Sequence, residues 1–153
     1  MFIWTLSRKK AAAAVIAMGV VMAVLIVLVG NLPDEKPQQP LLTDNTARIE
    51  YLQSLGWEVE PEPVETLQFL LPDPLTQAYL DYNAMQIPQG FDLSTCLGKP
   101  VSRFTYAVIN YPEHPQGVQL NLYLYEDLPV AGDVCCPGAD GFQEPLLRDS
   151  TEK

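Results

Sequence analysis

The chain has 153 residues, with 9 Lys and Arg against 19 Asp and Glu and a formal charge of −10. Such a balance repels the phosphates of DNA, RNA and anionic lipid headgroups, whose capture requires clustered Lys and Arg. Nucleic acid is therefore excluded as a partner class.

Arg8, Lys9 and Lys10 stand directly against an apolar run at residues 11–30. Twenty helical residues cover about 30 Å, the thickness of a bilayer hydrocarbon core. The run is apolar all round rather than striped, which argues against a buried core helix of a globular domain. Basic flanks stay on the cytoplasmic side, so the N-terminus is expected inside and the rest of the chain outside. The competing reading is a cleaved signal peptide. That would need a shorter apolar stretch closed by small residues, and the large Leu28 stands where a small residue is wanted.

The organisation expected is a basic cytoplasmic tail at 1–10, a transmembrane helix at 11–30 and a Pro-rich linker at 31–42. An extracytoplasmic α+β domain at 43–145 and a polar tail at 146–153 follow. Pro33, Pro37 and Pro40 give the linker a semi-extended character. All the acids lie beyond the basic tail, so the part after the apolar run carries −13. The domain holds twelve aromatic residues, enough for one core at about 100 residues.

Within the domain, Asp44 or Asn45 caps a helix that runs to Leu55, with Ile49, Leu52 and Leu55 on its apolar face. Gly56 takes the left-handed position after it, and Trp57 folds back as its hydrophobic partner. Residues 57–60 alternate apolar and acidic, and Pro61 and Pro63 make this an edge strand or arm. A short strand is expected at 66–71. A second helix opens with Asp73 as cap and Pro74 at its first position, buries Leu75, Ala78, Tyr79, Tyr82 and Met85, and stops before Pro88.

A hairpin carries the clearest strand signal, with strands at 101–111 and 118–125. Pairing Tyr111 with Val118 places Ala107 and Ile109 against Leu122 and Leu120 as the core face. It also sets Arg103 opposite Glu126, a favourable cross-strand pair. The other face then gathers Phe104, Tyr106, Tyr123 and Tyr125, with Asn121 and Gln119 beside them. Aromatic and amide-bearing surfaces of this kind suit recognition, so this face is a candidate site for a protein or envelope ligand. The alternative is that the arm at 57–71, or a helix, covers it as a second core layer. A third strand at 130–135 completes a C-terminal three-stranded antiparallel meander.

Three cysteines, Cys96, Cys135 and Cys136, permit one disulfide outside the membrane, from Cys96 to either of the others. Three reduced thiols are the alternative. No serine sits in G-x-S-x-G, no glycine-rich phosphate loop is present, and His114 lies in a Pro/Gly turn. Neither a metal site nor a cofactor is expected.

Several strings taken together resemble a bacterial family designated domain of unknown function 4830. They are YLQSLGWEVE at 51–60, YNAMQ at 82–86, GFDLS at 90–94, RFTYAVINYP at 103–112, GDVC at 132–135 and GF at 141–142. Their order and spacing carry the resemblance, which runs from Asn45 to Phe142. It implies a protein held behind a single N-terminal membrane span and supplies no activity and no catalytic residues. The function expected is therefore a membrane-anchored binding or scaffolding module. A sensor or regulator subunit acting through a membrane partner is the first alternative, and a minor envelope enzyme or redox-active thiol protein is the second.

Overall fold

The structure is a computed structural model that describes residues 39–112, 117–138 and 141–147. The expected cytoplasmic tail, membrane helix and most of the linker lie outside these residues, as does His114. Among the described residues no helix is long and apolar enough to cross a membrane.

Among the described residues, two helices and five strands form an antiparallel α+β domain. In chain order they are α1 (Asn45–Ser54), β1 (Glu65–Leu70), α2 (Gln77–Gln86), β2 (Pro100–Ala107), β3 (Gln119–Tyr125), β4 (Leu128–Cys136) and β5 (Phe142–Pro145). The strands lie side by side in sequence order. Each connection therefore joins neighbours, and the expected meander of β2, β3 and β4 is extended by one strand at each edge.

The first helix forms as its sequence dictates. Asp44 is the N-cap and its carboxylate accepts the Ala47 N–H at 2.8 Å. Gly56 has φ +87°, a conformation L side chains rarely adopt, and the Trp57 N–H returns to the Leu52 carbonyl at 3.0 Å. The Trp57 indole N–H then donates to the Leu146 carbonyl at 2.7 Å, joining the two ends of the domain. Residues 57–60 form an arm rather than a full strand. Val59 makes an isolated bridge with Val108, and the arm continues the outer edge of β2.

The expected hairpin register is corrected. The strands pair Phe104 with Leu122 and Tyr106 with Leu120, a slip of three residues from the pairing of Tyr111 with Val118. An odd slip exchanges the two faces of a strand. Phe104, Tyr106 and Val108 therefore join Leu120, Leu122 and Leu124 beneath α1, and Ile109 is 52% exposed. The cause is the fit of the large rings against α1. Tyr106 is fully buried, and its hydroxyl donates to Asn45 Oδ1 at 2.8 Å and accepts from Arg48 Nε at 3.1 Å. The Arg48 guanidinium lies over the Phe104 ring, 3.9 Å from its centroid. Ile109 and Asn110 instead bind the arm, through Ile109 N–H to Glu58 O and Asn110 Oδ1 from Glu58 N–H. Arg103 pairs with Glu65 of β1, not with Glu126.

The second helix also differs from expectation. It starts at Gln77 behind Thr76, not at Pro74, because Leu75 packs into the second core cluster with Leu71 and Leu93. Ala78 is exposed, Tyr79, Tyr82 and Met85 are half-buried, and Gln86 is fully buried. Gln86 Oε1 accepts the Gly132 N–H at 2.9 Å, which covers the stretch of β4 beyond the reach of β5. Gly132 admits this crowding, since a Cβ there would stand 2.5 Å from the Leu146 side chain. Leu146, expected to open a polar tail, and Leu42, at the end of the expected linker, are both core residues.

The sheet is therefore covered on both faces: α1 with Leu42, Trp57 and Leu146 on one, α2 and the 3-10 turn at Leu93–Cys96 on the other. Glu126 and Asp127 make the tight β3–β4 turn with φ +50° and +62°, a conformation that favours Asn-Gly in two-residue hairpins.

Tyr106→Phe is expected to destabilise the domain by about 1–2 kcal/mol in urea unfolding, because Asn45 and Arg48 lose a shared partner. Glu126→Asn combined with Asp127→Gly is expected to stabilise it by about 1 kcal/mol in the same assay, through relief of the left-handed backbone.

Candidate functional site

The slip in register divides the expected recognition face. Asn121, Tyr123 and Tyr125 remain together on the α2 side of the sheet, and Phe104 and Tyr106 lie on the α1 side. Tyr123 is covered: its ring lies 5.6 Å from that of Tyr82 on α2 and 6.4 Å from that of Phe69 on β1. Tyr125 is half-buried and its hydroxyl donates to Glu126 at 2.9 Å. At this end of the sheet, a helix covers the aromatic surface as a second core layer.

At the other end α2 stops short and a polar row takes its place. Thr105 faces Asn121 across β2 and β3, and Asn121 faces Asp133 across β3 and β4. The Thr105 hydroxyl donates to Asn121 Oδ1 at 2.8 Å, and Asn121 Nδ2 donates to Asp133 Oδ2 at 3.1 Å. Gln143 of β5 donates to the same oxygen at 3.2 Å, and the Tyr82 hydroxyl donates to Asp133 Oδ1 at 2.6 Å. Asp133 is fully buried, and these donors replace the water it gives up. This carboxylate went unnoticed in the sequence because a single Asp inside an apolar strand carries no local pattern.

The neighbouring groups respond to that charge. Tyr82 is pushed far above the ordinary tyrosine value of about 10, by burial first and by the Asp133 charge second. Burial and then Asp133 raise Tyr123 in the same direction. The Cys135 thiol also rises, through burial first and the Asp133 charge next, so it stays protonated at neutral pH and is a poor nucleophile.

Above this row is an open groove of about 470 Å³. Val64, Glu65, Arg103, Thr105, Gln119, Asn121 and Cys135 line it. Arg103 reaches to β1 to pair with Glu65, and its Nε is buried without a hydrogen-bond partner among the described residues. The lining thus offers a hydroxyl, two amides, one guanidinium and one carboxylate. Among the described residues, no group of three or more His, Cys, Asp or Glu side chains is placed to hold a metal ion.

The expected disulfide does not form; Cys96, Cys135 and Cys136 are free thiols. Cys96 is buried beside Val130 and Ala131 at the start of β4, where its thiol donates to the Leu93 carbonyl at 3.4 Å. Cys135 lies four residues beyond Ala131 on the same strand, about 13 Å at the rise of a β-strand. Cys136 points to the opposite face, against the α1-side core. These separations exceed what a disulfide spans. Comparison of the chain with protein-family models, curated proteins and solved structures gave no match.

Asp133→Asn is expected to cost about 2–3 kcal/mol at pH 7 in urea unfolding, because a neutral amide then faces donors arranged for a carboxylate. The alkaline limb supplies a second measurement. Raised tyrosine values favour the folded state fully below pH about 10, and that contribution is lost as pH rises further and the unfolded phenols ionise. Stability is expected to hold to pH about 9 and to fall above about 10, with a shallower fall in Asp133→Asn.

Proposed function

We propose that this protein is a single-pass membrane protein whose extracytoplasmic domain binds a protein or envelope ligand. In this reading, residues 11–30 are the span, residues 1–10 remain cytoplasmic, and the domain stands outside on its Pro-rich linker. The apolar run with its basic flank supports the anchor. The ordered strings from Asn45 to Phe142 support grouping the chain with the domain of unknown function 4830 family.

The observation that carries the binding role is the groove over the Thr105–Asn121–Asp133 row. Its open shape and mixed hydrogen-bonding lining suit an extended polar segment rather than an enclosed small molecule. Arg103 supplies the charged contact, and Thr105, Gln119 and Asn121 supply neutral ones. Asp133 acts from beneath, fixing the amide of Asn121 so that its orientation does not depend on the ligand. A thiol-based reaction is disfavoured by the raised value at Cys135.

Photo-crosslinking from a benzoylphenylalanine placed at Gln119 in the full-length protein, in native membranes, tests this reading. A discrete adduct is expected, and Arg103→Gln is expected to reduce it by about tenfold, the share of one charge-assisted hydrogen bond. Equal adduct yield from Arg103→Gln and the parent protein would rule out the groove as the binding site.

A further inference from the structure

The polar row beneath the groove directs its protons inward. The Thr105 hydroxyl gives its proton to Asn121 Oδ1 at 2.8 Å. Asn121 Nδ2 donates to Asp133 Oδ2 at 3.1 Å and to Cys135 Sγ at 3.5 Å, which engages both of its protons. The amide has one orientation, because a carboxylate only accepts, so Nδ2 faces Asp133 and Oδ1 faces Thr105. What the row still offers is acceptor capacity: the lone pairs of Thr105 Oγ1 and the second lone pair of Asn121 Oδ1. Both residues line the groove. Their oxygens stand 2.8 Å apart, so one donor nitrogen reaches both. Gln119 supplies donor and acceptor alike and selects neither, and the Cys135 thiol is only a weak donor.

The charge beneath has the same sense. Asp133 is fully buried, and its hydrogen-bond partners Tyr82, Asn121 and Gln143 are all neutral. The charged residues that line the groove, Arg103 and Glu65, pair with each other. The carboxylate of Asp133 is thus left without a cation. Hydrogen bonds in a chain polarise one another. By donating to a carboxylate, Asn121 gains negative charge on Oδ1, and that oxygen draws on the Thr105 proton and enriches Oγ1 in turn.

We propose that the floor of the groove is a subsite for a cationic side chain, lysine or arginine, of the bound segment. This rests on the reading of the groove as a binding site and names the chemistry that it selects. A carboxylate or phosphate on the same spot would meet lone pairs with no proton to receive, above a like charge. A hydroxyl would find acceptors but gain nothing from Asp133. An ammonium or guanidinium group answers both conditions. Thr105 lies two residues beyond Arg103 on β2, about 7 Å along the strand. The segment therefore presents an oxygen acceptor to Arg103 at about that distance from its cation. The excess of 19 acidic over 9 basic residues in the chain favours the approach of such a segment.

The test uses the full chain in a non-ionic detergent, so that no lipid charge retains the probes. The probes are fluorescent, end-capped heptapeptides of Ser and Gly with Lys, Arg, citrulline or Glu at the centre. Citrulline keeps the shape of arginine without its charge. Anisotropy titrations are expected to show saturable binding of the Lys and Arg peptides, at least tenfold tighter than of the citrulline and Glu peptides, and weakening as salt is added. Thr105→Val removes one of the paired acceptors and is expected to weaken the Lys and Arg peptides by about tenfold, the share of one charge-assisted hydrogen bond. Thr105→Ser keeps the hydroxyl and is expected to retain the preference. Circular dichroism checks the fold of both variants, and the comparison of Arg with citrulline needs neither.

Citrulline or Glu peptides that bind as tightly as the Arg peptide would overturn the proposal. So would the absence of saturable binding by either cationic peptide, or full affinity in a folded Thr105→Val variant. Absence of the adduct from benzoylphenylalanine at Gln119 in native membranes would instead remove the groove as a binding site, so the two failures are read apart.

Discussion

The hydroxyl of Tyr106 decides which way the central hairpin faces. Held between Asn45 and Arg48 at 2.8 and 3.1 Å, it ties the middle of β2 to the first turn of α1. With that contact made, Phe104 and Val108 must also face α1, and Arg103 and Thr105 must face the other way. Everything on the α2 side follows from this parity. Arg103 reaches Glu65, Thr105 meets Asn121, and a polar row forms where a purely aromatic surface would otherwise stand. A slip of one residue in the same hairpin would bury Arg103 and expose Tyr106.

The parts of the fold that were legible from sequence are those set by local chemistry. Asp44, the Leu52 stripe, Gly56 and Trp57 describe α1 and its exit almost residue by residue, because capping and left-handed glycine are short-range effects. Alternation in β3 gave its core face correctly, since Leu120, Leu122 and Leu124 leave no choice. The alternation of β2 is ambiguous. Both of its faces are covered, so Val101 and Thr105 on one side and Phe104 and Tyr106 on the other are all credible interior residues. Only the partner element decides between them, and α1 is more than 45 residues away in sequence. The same limit hid β5, whose four residues carry little strand signal of their own, and Asp133, whose partners come from three other elements. The cysteine separations were equally invisible, since which end of a sheet a residue occupies is a property of the assembled strands.

Asp133 illustrates how a groove lining and a core share one network. A carboxylate removed from water is costly unless every lone pair is used, and here the donors arrive from α2, β3 and β5. The arrangement stiffens the junction of those elements and holds the Asn121 amide in a single orientation beneath the groove. The groove lining is therefore preorganised by a residue that has no contact with solvent. Rigidity of this origin would lower the ordering cost of the ligand proposed for the groove.

The bond from the Trp57 indole to the Leu146 carbonyl joins residues 89 positions apart. A nascent chain leaves the ribosome N-terminus first, so α1 and β1 emerge long before the group that locks Trp57 in place. The core beneath α1 stays unsealed until Leu146 arrives.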